Sequence, residues 1–170
     1  MINLTKASRL PAGSRAIFDT NIFVYFATAH PVLGPPCREI IHRVEEGEIE
    51  GVIPAVVMNE LLHNLILVEL VGKKFAETRN GAISRVKNDP TVIQQLTITW
   101  DIFKCLPEMG FSILEDERGI TDRTYFFSKE LSLMAKDAAI VSYAHNYEIS
   151  HIVTNDRDFE RIPWLTSWRP

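Results

Sequence analysis

Asp19, Glu60, Asp137 and Asp156 lie far apart in the chain, yet each stands beside a run of apolar residues. Asp19 ends Ala16-Ile17-Phe18 and opens Asp19-Thr20-Asn21. Glu60 sits inside the apolar stretch from Ile53 to Leu70, and Asp137 precedes Ala138-Ala139-Ile140-Val141. Asp156 follows the strand-like Ile152-Val153-Thr154. A carboxylate next to so much apolar chain is costly unless something compensates its charge. A hard divalent cation such as Mg²⁺ or Mn²⁺ does so, because it prefers oxygen ligands. Carboxylates that share such an ion leave positions open for water and phosphate, and two ions about 3.5–4 Å apart stabilise both the attacking and the leaving oxygen of phosphodiester cleavage.

Each acid also has a plainer reading. Asp19 is placed to cap the helix that begins at Thr20. Glu60 fits an exposed helix face, although positions 53, 56, 57, 61 and 65 are all apolar. Asp137 has Arg123 or Lys136 as ion-pair partners, and Asn155-Asp156-Arg157-Asp158 fits an Asx turn. The four together, with their placement at element ends, favour a shared site.

The elements that must position them alternate strand and helix, which points to a parallel sheet covered by helices. The spacing predicts strands at 14–18, 50–53, 111–114 and 152–154, with an edge strand in 164–170. It predicts helices at 21–29, 34–46, 54–71, 73–87, 91–106, 121–131 and 132–147, the last two capped by Thr121 and Ser132. Within 91–106, Thr97-Ile98-Thr99-Trp100 alternates like a strand. In an open parallel sheet, sites form beyond the carboxyl ends of the strands. Asp19 and Asp156 lie just past strand ends, and Glu60 and Asp137 fall in the first turns of helices.

Composition sets the class. The 170 residues suit one domain, and 46% hydrophobic with 24% charged residues is ordinary for a globular protein. No signal-peptide pattern and no uncharged membrane-length run is visible, so a cytoplasmic protein without a membrane association is expected. Cys37 and Cys105 form no CxxC pair, and free thiols are expected. The net charge of −4 argues mildly against nucleic-acid binding through global charge, but clustered acids lower it and a bound metal reverses their sign locally. Val71 to Pro90 is locally basic through Lys73, Lys74, Arg79, Arg85 and Lys87. That stretch is either a phosphate-facing patch or a solvated helix face. The five histidines show no metal spacing, and no GxSxG, P-loop or GxGxxG occurs.

Ile17-Phe18-Asp19-Thr20-Asn21 resembles the opening motif of the PIN-domain nucleases. Val57-Met58-Asn59-Glu60-Leu61-Leu62 resembles the helix glutamate of that family, and Lys136-Asp137-Ala138-Ala139-Ile140-Val141 resembles its third acid. Thr154-Asn155-Asp156-Arg157-Asp158-Phe159 resembles its closing threonine and aspartates. The resemblance runs from Ile17 to Phe159. It implies a three-layer α/β/α sandwich with a mostly parallel central sheet, in a single domain over 1–170 carrying a helical insertion at about 72–106. It implies Mg²⁺- or Mn²⁺-dependent endoribonuclease activity. Many members are toxins of the VapC type, neutralised by a small antitoxin.

On that resemblance Asp19, Glu60, Asp137 and Asp156 are the expected metal-holding catalytic acids, with Asp158 as an alternative or additional ligand. Thr20, Asn21 and Thr154 are expected to orient carboxylates or water. Lys73, Lys74 and Arg79 are expected to draw in RNA, with Arg118, Arg123 and Arg157 next in line. The apolar residues around Leu61-Leu62, Leu65-Ile66 and Val68 suggest a homodimer contact. Two other readings stay open at this point: a non-catalytic PIN-like interaction module and a structure-specific DNA nuclease.

Overall fold

A computed structural model describes residues 5–117 and 119–170. The elements are β1 (Thr5–Lys6), β2 (Arg15–Phe18), α1 (Thr20–Ala27), α2 (Gly34–Glu45), β3 (Glu50–Pro54) and α3 (Ala55–Gly72). They continue with α4 (Arg79–Asn88), α5 (Ile98–Glu108), β4 (Ser112–Leu114), α6 (Ile120–Leu131), α7 (Ala135–Asn146), β5 (His151–Val153) and β6 (Thr166–Arg169). Short 3₁₀ turns lie at Ala7–Arg9, Pro90–Gln95 and Asp158–Arg161.

The strands form one six-stranded sheet in the order β1-β6-β5-β2-β3-β4. Every pairing is parallel. Helices cover the sheet, so the three-layer α/β/α arrangement expected from the alternation is present. Strands buried on both faces read as continuous apolar runs. Ala16, Ile17, Phe18, Val52, Ile53, Ile152 and Val153 are all at 0% exposure, as that rule requires. Beneath β2, the rings of Phe18, Phe23 and Phe111 pack with centroids 5.0–6.2 Å apart. Gly51 in β3 makes room for this cluster, because a Cβ there would lie 2.6 Å from Phe111 Cε1.

From β2 the chain passes to β3 and β4 on one side, then returns to β5 and β6 on the other. The carboxyl end of β2 is therefore the point where the winding reverses, the place where open α/β sheets put their sites. Asp19 is the next residue.

Several boundaries differ from the sequence reading: the helix expected over 73–87 begins only at Arg79, capped by Thr78, and α6 starts at Ile120 after Gly119, with Thr121 inside it rather than capping it. Residues 91–106 are not one helix but a 3₁₀ turn followed by α5, and Thr97-Trp100 is not a strand. Ser132 does not start a helix; it ends α6 in the left-handed region (φ 52), where its backbone N–H closes on Ser128, and Met134 precedes α7. The C-terminal strand is not at the edge, because β1 pairs outside it.

The break at Leu96-Thr97 has a single organiser. Glu69, on α3, accepts from the N–H groups of Thr97 (2.7 Å), Ile98 (3.1 Å) and Thr99 (2.8 Å) and from the Thr99 hydroxyl (2.8 Å). Lys73 stands 3.0 Å from the same carboxylate. The first N–H groups of a helix have no partner within it, and Glu69 supplies one from another helix. Burial would raise its carboxyl, but the Thr97 and Thr99 amides, Lys73 and the Thr99 hydroxyl outweigh that and push it down to about 2. A depressed carboxyl stabilises the fold above its ordinary value of 4.5, and that contribution is lost as pH falls through the folded value near 2. Glu69→Ala is expected to cost about 2–3 kcal/mol at pH 7, seen as a lower urea midpoint, with the deficit shrinking between pH 4.5 and 2. A midpoint equal to wild type would show that α5 does not depend on this cap.

α3 has 18 residues and a mean hydropathy of 1.5, the length and apolarity of a helix able to cross a membrane. Here Leu61 and Leu65 belong to the main core, while Leu67 and Leu70 join Ala82, Val92 and Leu96 in a second apolar cluster beneath α4 and α5. Of the residues that the sequence reading set aside for a subunit contact, Leu61 and Leu65 are buried within the chain and Leu62, Ile66 and Val68 are half-buried. Cys37 and Cys105 are free thiols.

Candidate active site

Asp19 is fully buried directly after β2 and both caps α1 and faces the site. Its Oδ1 accepts the Thr20 N–H at 2.7 Å. Its Oδ2 accepts from Asn21 Nδ2 at 2.5 Å and from the Thr154 hydroxyl at 2.7 Å. Thr154 follows β5, the neighbour of β2, so the sheet register itself delivers that hydroxyl. The Thr154 oxygen in turn accepts from Asn21 Nδ2 (3.1 Å) and the Asp156 N–H (3.0 Å). The Asn155 N–H donates to Asn21 Oδ1 at 3.1 Å, which fixes the carboxamide orientation. The Thr20 hydroxyl donates to Glu60, in the second turn of α3 rather than the first. Thr20, Asn21 and Thr154 thus all hold carboxylates, the positions the sequence reading gave them.

Asp137 enters from the first turn of α7 and is 6% exposed. Its oxygens lie with those of Asp156 and Asp158 in a group whose members are within 4.8 Å of one another. Asp137 Oδ1 is buried and accepts no hydrogen bond. The Lys136 ammonium faces that oxygen at 3.6 Å, beyond hydrogen-bond reach. Asp156 Oδ1 accepts the Asp158 N–H at 2.9 Å, so the Asx turn expected as the plain reading exists and serves to place both carboxylates. Asp158 is further paired with Arg161 at 3.2 Å.

The acids therefore form two groups that meet at Asp137: Asp137, Asp156 and Asp158 on one side, Asp19 and Glu60 on the other. Between them stands Lys136, which the sequence reading considered only as a partner for Asp137. Its Nζ is 3.3 Å from Glu60, 3.6 Å from Asp137 and 3.7 Å from Asp19. Burial pushes the Asp19 carboxyl up, against the pull of Lys136, and burial does the same to Asp137. Burial draws the Lys136 ammonium down, but Asp19, Glu60 and Asp137 outweigh it and hold it above its ordinary value. A cleft that crowds carboxylates, raises two of them and places an ammonium at their centre is built around positive charge.

The basic stretch is divided. Lys73 pairs with Glu69 at 3.0 Å and donates to the Gln95 carbonyl at 2.7 Å. Lys74 is exposed beyond the end of α3, in the left-handed region. Arg79 bonds Asn64, which lines a cavity of about 210 Å³ together with Glu60 and Lys136. Arg85 pairs with Asp89 at 3.0 Å, and Arg123 bonds Asn146 at 2.7 Å. Arg118 lies outside the described residues. A cavity of about 1040 Å³ beside Phe26, His30 and Ile102 is lined by none of Asp19, Glu60, Asp137, Asp156 and Asp158.

The comparisons with known proteins agree with this geometry. The family model for the PIN domain matches residues 16–165. A curated relative, ribonuclease VapC2 of Methanocaldococcus jannaschii, is 27% identical over 154 residues, covering 89% of this chain and 91% of the relative. Among solved structures, VapBC2 from Rickettsia felis bound to a promoter DNA fragment is similar at a TM-score of 0.55 and 21% identity, covering 91% of this chain and 98% of that one. A toxin–antitoxin complex from Klebsiella pneumoniae is similar at a TM-score of 0.50 and 18% identity, covering 89% and 95%. With the match spanning nearly every element that carries an acid, the chain belongs to the PIN domain family.

Proposed function

We propose that this chain is a divalent-metal-dependent endoribonuclease, the toxin partner of a small antitoxin protein. The observation that carries the reading is the convergence of Asp137, Asp156 and Asp158, one carboxylate oxygen from each lying within 4.8 Å of the others. The relative named as a ribonuclease supports the reaction class, and the toxin–antitoxin neighbours support the partner.

An all-carboxylate donor set suits Mg²⁺ or Mn²⁺. Asp137 and Asp156 would hold the ion, with Asp19 and Glu60 facing it from the other group and Asp158 drawn partly aside by Arg161. Bound there, such an ion supplies a water of lowered pKa and offsets charge on the phosphate. The chain's own residues do the rest. Asn21, Thr154 and the Thr20 amide hold Asp19 in one orientation, and the Thr154 and Thr20 bonds oppose part of the rise that burial imposes on its carboxyl. The Thr20 hydroxyl holds Glu60. Lys136 offers a cation to a phosphate oxygen at the mouth of the cleft, and Arg79 adds a second cation at the rim.

Metal should stabilise this fold. Mn²⁺ at saturating concentration is expected to raise the melting temperature by several degrees at pH 8, because binding to the folded state alone adds about 2.7 kcal/mol at a hundredfold excess over Kd. The gain should shrink toward pH 5, because the raised carboxyls of Asp19 and Asp137 protonate first and compete with the ion. A melt indifferent to Mn²⁺ across this range would remove the metal site. Stabilisation without any RNA cleavage would instead make the chain a metal-binding interaction module.

A further inference from the structure

The acid cluster does not stand alone on its face of the molecule. Beyond Asp156 lies a second cavity of about 460 Å³, lined by Asn21, Tyr25, Asn155, Asp156, Arg157 and Arg169. Asn21 and Tyr25, one turn apart on α1, line both this cavity and the smaller one beside Glu60 and Lys136. The two hollows thus share these side chains, with Asp156 lining one and Glu60 the other.

The walls of the second cavity are held firmly. Arg169 donates to the Asn155 carbonyl at 2.8 Å and to its side-chain oxygen at 3.0 Å, and it pairs with Glu160 at 3.5 Å. Asn155 Nδ2 donates to the Tyr25 hydroxyl at 3.3 Å. The Tyr25 ring is braced edge-on by His30, with centroids 5.1 Å apart. Arg157 is different: it is exposed at the mouth and has no ion pair among the described residues. The volume falls in the range that takes a small ligand. A phenol, a fixed carboxamide and a free guanidinium beside a phosphodiester-cleaving centre match the three parts of a nucleotide: a base to stack, polar edges to read and a phosphate to pair.

We infer that this cavity binds the nucleotide adjoining the scissile phosphodiester of a single-stranded RNA, with Tyr25 stacking on its base and Arg157 pairing with its phosphate. The inference rests on the ribonuclease reading above. It gives Asn155 a second task as the reader of base edges, and makes the pocket a source of sequence preference that lies outside the acids. A base can enter only when unstacked, so single-stranded segments are the substrate class.

Two measurements on the full chain separate this inference from the reading it rests on. The first is the cleavage of a fluorescent single-stranded RNA with Mn²⁺ by wild type, Tyr25→Ala and Arg157→Gln. The expected result is a KM raised about tenfold in each variant, the size of one lost stacking or charge-assisted contact, with kcat within about twofold. The Mn²⁺-induced rise in melting temperature should be unchanged, which shows that the acids are intact. The second is binding of adenosine 5′-monophosphate without metal, followed by ligand-observed NMR, and expected to weaken at least about fivefold in both variants. Wild-type values of KM in both variants would overturn the inference while leaving the ribonuclease reading in place. Loss of mononucleotide binding with unchanged KM would also overturn it, by making the pocket a free-nucleotide site. Mononucleotide binding by a wild-type protein that cleaves no RNA would overturn the ribonuclease reading instead.

Discussion

Asp137→Asn is expected to make the metal-free protein more stable and nearly inactive. Its carboxylate is 6% exposed, has one oxygen without a hydrogen bond, and is raised above its ordinary 3.8 chiefly by burial, with Asp156, Asp19 and Asp158 adding to the rise. A raised carboxyl contributes stability below its ordinary value and loses it as pH rises through the folded value. At pH 7 the ionised group is therefore a net cost, and the carboxamide removes it. The gain should appear as a higher melting temperature at pH 7, and it should shrink as pH falls and the wild-type carboxyl takes up its proton. The same change removes the group shared by both halves of the acid cluster. RNA cleavage should fall at least about 10²-fold, since even groups that only support a metal ligand cost 10–100-fold when lost. A variant that is both less stable and fully active would show that Asp137 is an ordinary structural carboxylate.

Lys136→Met should have the opposite effect on stability. The Lys136 ammonium is the shared cation for Asp19, Glu60 and Asp137, and its side chain is about one-third exposed (32%). Breaking a fully buried pair costs about 3–5 kcal/mol. Discounted for solvent screening, the loss here should be about 1–2 kcal/mol in metal-free buffer. Saturating Mn²⁺ should restore much of it, so the metal-induced rise in melting temperature becomes larger than in wild type. Cleavage should drop about tenfold or more with metal saturating, because a preorganised cation facing the phosphate is gone. If stability, metal response and cleavage all matched wild type, Lys136 would be no more than a surface residue near the site.

What could be read from the sequence follows the range of each interaction. Asp19, Thr20 and Asn21 were legible because one strand end and one helix start carry all three. Thr154, Asp156 and Asp158 were legible for the same reason. Their convergence followed from strand and helix alternation, since parallel strands end on one side. Lys136 was legible as a partner for Asp137 but not as the shared cation of Asp19 and Glu60, because those two lie 117 and 76 residues away in the chain. Glu69 escaped because its partners lie 28–30 residues on, and no local pattern marks a helix capped from outside. The same cap turned Thr97-Trp100 from a strand-like alternation into the first turn of α5. Lys73 joined the expected RNA track on charge density, and its bonds to Glu69 and Gln95 were out of sight for the same reason of sequence distance.

The claim that these carboxylates form one nuclease centre is tested most directly by the initial rate of single-stranded RNA cleavage at saturating Mn²⁺, for wild type and Asp137→Asn side by side. The account predicts multiple turnovers by wild type, abolished by EDTA and restored by Mn²⁺ or Mg²⁺, and a rate at least about 10²-fold lower in the variant. Equal rates for the two proteins, or cleavage that survives EDTA, would contradict it.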